Sequence, residues 1–145
     1  MLAFSTKCEE EGLQMKAGKL HSFIPSGKDY VLAQLFFEEF GFEKVYSDDR
    51  MSIFRNEGVE FYLQNFYNQD FQDNYVVALS VEDLDGLWAH IQNTKLEEKY
   101  PIKVQASEKN PSGKEIVLTD PAGVCWHITQ KPVRLSSVGG TFSVP

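Results

Sequence analysis

The sequence holds only two cysteines, Cys8 and Cys125, too few for the disulfide framework that staples small secreted domains. It lacks any run of apolar residues long enough to span a bilayer, so no membrane partner is expected. Its opening stretch, MLAFSTKCEEEGLQMK, puts carboxylates where a secretory leader needs a basic start and an apolar run. Together these lead us to expect a cytoplasmic protein. Basic residues are also short: 14 Lys and Arg against 21 Asp and Glu give a formal net charge of −7. Nucleic-acid backbones are held by Lys/Arg surfaces, so no nucleic-acid partner is expected. A field of this sign would instead draw in a cationic ligand.

What the chain does have is apolar mass and rings. Its 145 residues are 42% hydrophobic, with eleven Phe and six Tyr. That suffices for one compact domain, or two small packed halves, around a ring-rich core.

Residues 1–17 show no clean period and read as an N-terminal extension. From Lys19 the run LHSFIP reads as a strand, and Ser-Gly-Lys-Asp as the turn into a helix. Asp29 can cap that helix by accepting from first-turn amides. In YVLAQLFFEEF, Val31, Leu32, Leu35, Phe36 and Phe40 recur at helical spacing, and Gly41 ends the helix. EKVYS, MSIFR and VEFYLQNF then read as strands joined by the tight turns DDR and NEG. YNQDFQDN reads as a polar connector. The pattern then restarts. YVVALSV is a strand and Asp83 a cap. LDGLWAHI is a helix with Leu84, Leu87, Trp88 and Ile91 on one face. IKVQ and KEIVLTD are strands, Pro121-Ala122-Gly123 is a turn, and VCWHITQ is the last strand. Residues 132–145 have no period and read as an extended or disordered tail.

The order is therefore β-α-β-β-β twice over, an α+β domain at residues 18–131 with halves at about 18–66 and 74–131. Neither half could bury both its helix and its sheet face alone, so the halves must pack together.

Three quoted stretches carry a resemblance. They are IPSGKD with LFFEEFGFE, then LSVEDLDGLWAHI, then LTDPAGVCWHITQ. In this order they resemble the vicinal-oxygen-chelate superfamily, which includes glyoxalase I, extradiol dioxygenases and bleomycin-resistance proteins, over about Lys19 to Gln130. The resemblance implies two βαβββ repeats whose mixed sheets form an open, curved cup, completed by pairing into a homodimer. Enzymes of the superfamily carry a His or Gln near the start of each half and a Glu on the last strand of each half as metal ligands. Counting from the caps and turns, those positions here are Ser22, Val76, Tyr62 and His127. That set does not make a divalent site, because Val76 cannot ligate and hard donors are missing. His21 lies one residue away, and a one-residue shift turns a side chain to the opposite face. The expectation is no metal and no other cofactor.

Strand alternation then nominates the cup lining: Ser22, Phe54, Glu60, Tyr62, Gln64, Ala78, Cys125 and His127, with Ile24, Val76, Ser80 and Thr129 on the same faces. Phe61, Leu63, Trp126 and Ile128 go to the helix side. A phenol, an imidazole, a carboxylate and a ring in one wall suit an aromatic or cationic small molecule. No catalytic residue is nominated: His127 has no evident nucleophile partner, and nothing adjacent except His127 would activate Cys125. The leading expectation is a metal-independent small-molecule-binding protein resembling bleomycin-resistance proteins. The alternative is a metal-dependent lyase or dioxygenase with a site remodelled around His21, Glu60 and His127. A ligand-sensing module is a third reading, and no basic helix-turn-helix segment accompanies it.

Overall fold

A computed structural model describes residues 12, 14–110 and 113–132. Much of the N-terminal extension and nearly all of the C-terminal tail lie outside the described residues. The first half runs β1 (Phe23–Pro25), α1 (Tyr30–Phe40), β2 (Glu43–Ser47), β3 (Met51–Asn56) and β4 (Val59–Gln64). A short helix α2 (Gln69–Asp73) leads into the second half. That half comprises β5 (Val76–Val81), α3 (Leu84–Asn93), α4 (Leu96–Lys99), β6 (Lys103–Asn110), β7 (Gly113–Thr119) and β8 (Cys125–Gln130). The result is an α+β fold with two four-stranded mixed sheets, ordered β1-β4-β3-β2 and β5-β8-β7-β6. In each, the first strand runs parallel to the last and lies at the sheet's edge. No helix among the described residues is long and apolar enough to cross a membrane.

The two principal helices start as the sequence predicts. Asp29 Oδ1 accepts from the Leu32 amide at 3.0 Å, and Asp83 Oδ1 from the Gly86 amide at 2.9 Å. Gly41 closes α1 at φ 134°, a conformation open chiefly to glycine. The buried face of α1 differs from the expected one. Ala33, Phe36, Phe37 and Phe40 go inward while Val31 and Leu35 stay exposed. Two overlapping stripes fit the helical period here, and the one carrying three rings buries more apolar surface.

Those rings join the halves. Phe37 packs against Phe54 and Phe61 of its own half, and against Trp126 of the other at 5.5 Å between centroids. Trp126 also meets Phe61 at 5.7 Å. The helix-side faces of both sheets thus share one core, and truncating such a ring to Ala costs about 3–5 kcal/mol. Two stretches differ from their sequence reading. The connector YNQDFQDN contains α2, capped by Asn68 and sending the buried Gln72 inward. The charged stretch after α3 holds α4 and a strand longer than IKVQ.

Candidate functional site

Strand registers decide which residues share the open faces of the sheets, the faces turned away from the common core. In the first sheet Tyr62 pairs with Phe23 and Ile53, Glu60 with Arg55, and Gln64 with Met51. Directly paired residues point the same way, so these side chains share the open face. His21, two residues before Phe23, joins them. It stacks on Tyr62 at 4.8 Å and an angle of 27°, while Phe23 meets Tyr62 edge-on at 4.9 Å. Glu60 is gripped from two sides. His21 Nε2 lies 3.3 Å from Oε2, and Arg55 Nε 3.2 Å from Oε1.

On the second sheet, Ala78 pairs with His127 and His127 with Val117, while Val76 pairs with Cys125. His127 Nδ1 lies 2.7 Å from Glu115 Oε2. That contact orients the ring and leaves Nε2 for another partner. Cys125 is half-buried. Burial first, then the carboxylates of Glu115 and Asp120, push its thiol up from the ordinary range. It is therefore a small protonated side chain at neutral pH, with no thiolate character.

Of the eight nominated residues, Glu60, Tyr62, Gln64, Ala78, Cys125 and His127 lie on open faces. Two do not. Phe54 is fully buried and pairs with Phe61 in the helix-side core. The two-residue turn Glu57-Gly58 sets Asn56 against Val59, and this register carries Phe54 to the same face as Phe61. Ser22 is the second correction, with Ile24. Ile24 is buried opposite Leu63, and His21 and Phe23 take the open face instead. The cause is one extra residue between β1 and its helix. Counting back from Asp29 lands one place off, and one place reverses the face. Gly27, at φ 80°, lies in this longer link.

Among the described residues, no hydrogen bond, ion pair or ring contact joins the first cluster to the second. Sequence reasoning passed over Phe23, Arg55 and Glu115. Arg55 was the most legible, since the short hairpin sets it opposite Glu60 with opposite charge.

The donor set can now be tested against the metal that the resemblance implies. Tyr62 and Val76 stand at two of the ligand positions implied by that resemblance. Both Glu60 oxygens and one His127 nitrogen are already engaged. No group of three or more His, Cys, Asp or Glu able to hold an ion occurs among the described residues. These residues do not fit the metal.

No family model matches the chain, and no curated protein matches it. Solved structures do. The bleomycin-binding protein of bleomycin-producing Streptomyces verticillus, solved with copper(II)-bleomycin, superposes with a TM-score of 0.66 at 20% identity, over 81% of this chain and 99% of that one. The fold is that of the glyoxalase/bleomycin-resistance proteins. A bleomycin resistance determinant encoded on transposon Tn5 gives a TM-score of 0.67 at 19% identity, over 81% and 100%. The fosfomycin resistance protein of Listeria monocytogenes, solved with Mn(II) and sulfate, gives 0.58 at 16%, over 79% and 90%. Proteins of this fold thus include both ligand binders and a metal-bearing member, so the site residues must choose between them.

Proposed function

We propose that the chain is a metal-independent small-molecule-binding protein of the bleomycin-resistance kind, sequestering or sensing a flat, aromatic ligand. The observation that carries this reading is the ring cluster of half-buried His21 and Tyr62 with exposed Phe23 on an open sheet face. A stacked wall of this sort gives a planar molecule large contact area at little conformational cost. The fold's bleomycin-binding members support the ligand class. A cationic group on the ligand gains less than the charge of Glu60 alone suggests, because Arg55 already offsets it. Gln64, Ala78, Cys125 and His127 complete the proposed lining, with His127 Nε2 meeting a polar group of the ligand. The two open faces come together when a second copy brings its His127 face to the Tyr62 face of the first.

The test is a thermal-shift screen of planar aromatics, bleomycin-type compounds included, followed by calorimetry on variants. Tyr62→Ala should weaken binding by on the order of 1 kcal/mol, about fivefold. Glu60→Gln should have a smaller effect that shrinks as salt rises. A ligand that binds both variants as tightly as the parent removes the site from this face.

The second reading is a lyase or dioxygenase. It draws on the two His–carboxylate pairs, His21 with Glu60 and His127 with Glu115. Elemental analysis of protein purified without chelator separates the readings. We expect well under one divalent ion per chain. A stoichiometric ion lost on replacing His21 or His127 would favour the enzyme.

A further inference from the structure

The open face of the first sheet carries a row of side chains that crosses its four strands. Phe23 on β1 pairs with Tyr62 on β4, Tyr62 with Ile53 on β3, and Ile53 with Tyr46 on β2. Tyr46 reaches the row because Val45 is skipped in the pairing of β2 with β3. An extra residue of this kind re-aims the side chain that follows it, and here it turns a ring outward at the far edge. At about 4.8 Å between strands the row is about 14 Å long. Its end members, Phe23 and Tyr46, are 48% and 49% exposed, and Tyr62 and Ile53 between them are half-buried.

A charged row lies beside it. Glu60 pairs with Arg55 and Arg55 with Glu43, while His21 reaches Glu60 from the β1 side. The bonds within this face engage its acceptors and leave donors unused. Glu60 commits one oxygen to His21 and the other to Arg55. Asp48, beside Tyr46, accepts from the Tyr46 hydroxyl at Oδ2, at 2.7 Å, and from the Arg50 and Met51 amides at Oδ1, at 2.8 and 2.9 Å. Arg55 donates only through Nε, at 3.2 Å, and among the described residues its two terminal nitrogens hydrogen-bond to nothing. Its side chain is half exposed. Glu43 is exposed at the sheet edge and forms no ion pair with Arg55. A guanidinium fork of this kind matches a carboxylate through two parallel N–H···O bonds.

We propose that this face selects an aromatic acid: a fused planar ring system lies along the row from Phe23 to Tyr46, and its carboxylate takes the two terminal nitrogens of Arg55. This rests on the small-molecule-binding reading above and names the ligand class within it. Arg55 stands two residues from Ile53 on β3, about 7 Å along the strand. A carboxylate on the ring and the long Arg side chain close that distance between them. A cationic ligand finds Glu60 and Asp48 already engaged, and meets the Arg55 charge. A neutral aromatic gains stacking alone. The net charge of −7 does not reverse the preference, because exposed charges beyond about 8 Å are largely screened at physiological salt. Glu43, across from Arg55, opposes an anion there, so its removal should tighten the acid's hold.

The experiment titrates the full chain with three probes that share one ring system, naphthoate, neutral naphthamide and cationic naphthylmethylammonium, followed by NMR chemical shifts. The acid should bind about tenfold tighter than either of the others, with the amides of Arg55 and Tyr62 among those that shift. Arg55→Gln combined with Glu60→Gln keeps the local net charge and removes the fork. It should bring the acid's affinity down to that of the amide probe, with unchanged β7 and β8 resonances reporting that the variant is folded. Glu43→Gln should tighten the acid about twofold. An acid that binds no tighter than the amide probe, while Tyr62→Ala weakens both, overturns the proposal and leaves the aromatic-binding reading standing. A tighter hold on the cation, or acid binding that the double variant leaves unchanged, also overturns it. Three probes that all fail to bind at millimolar concentration overturn it together with the reading on which it rests.

Discussion

Asp120 is almost completely buried, and its bonds organise structure. Its Oδ1 accepts from the amides of Ala122, Gly123 and Val124 at 3.0, 3.1 and 3.0 Å, and its Oδ2 from the Trp126 indole at 3.0 Å. One carboxylate thereby shapes the turn into β8 and fixes the largest ring of the core. Burial pushes this carboxyl up to about 6 against the pull of the four donors. An Asp in the unfolded chain titrates near 3.9, so the folded state holds the proton more tightly. Its contribution to stability is full below about pH 4 and is lost as pH rises to about 6. Over that window the loss is on the order of 2–3 kcal/mol. Asp120→Asn should therefore flatten the pH dependence of stability between pH 4 and 6. It should also cost about 1–3 kcal/mol at neutral pH, since an amide group must face N–H donors on one side. Urea unfolding across this range measures both effects. Parallel curves for parent and variant would show that Asp120 does not titrate there.

At the level of elements, the seam between α1 and the α3–α4 pair is tied by Glu39. Its carboxylate accepts from the Tyr100 hydroxyl, in a short contact, and from Lys99 Nζ at 2.9 Å, while its carbonyl lies 2.7 Å from His90 Nε2. The Tyr100 hydroxyl, then Lys99, holds the Glu39 carboxyl below its usual range. Burial, reinforced by Glu39, pushes the Tyr100 phenol up to about 12. Tyr100→Phe keeps the ring packed edge-on against Phe36 and removes only the hydroxyl. We expect a loss of about 1–3 kcal/mol at neutral pH, read from denaturant midpoints. The loss should shrink as pH falls through the range where Glu39 takes up its proton. An unchanged midpoint would mean that the seam is held by packing alone.

How much of this was legible follows from the kind of signal each element carries. The two long helices had caps and a periodic face, and the hairpins had turn residues, so the α+β order and the pairing of the halves could be read directly. A helix as short as α2 shows no period, and its one buried residue, Gln72, is polar. Nothing in composition separates it from a solvated connector. The open faces were legible wherever a hairpin of known turn length fixed the register, as for Glu60 and Tyr62. Alternation gives the wrong face at Ser22, where a single extra residue before Asp29 reverses it, and at Phe54, whose face follows only from the hairpin that pairs it with Phe61. Glu115 reaches His127 across a strand pair, a contact that only the register of β7 and β8 discloses.

For the whole molecule, what matters next is the cover over the open sheet faces and over the strand edges that no described residue pairs. β1 and β5 each end a sheet, and Phe23 and Val76 on those strands are 48% and 58% exposed. An unpaired edge bearing apolar side chains invites pairing with another chain, and proteins that stay monomeric blunt such edges with charge, proline or bulges. Pro25 ends β1, but nothing of the kind interrupts VVALSV in β5. We therefore expect a two-fold symmetric homodimer in which the β1 face of one copy meets the β5 face of the other, uniting the Tyr62 and His127 clusters in one cup. Sedimentation at micromolar concentration should give about twice the 16.5 kDa chain mass. Val76→Lys, a charge placed on the exposed edge outside the shared core, should shift the protein toward monomer, leave thermal unfolding of the core cooperative, and abolish binding of any ligand that the parent holds. A parent protein that sediments as a monomer would overturn the dimer and, with it, a cup shared between copies. A monomeric variant that still binds the ligand at full strength would place the whole site on one chain.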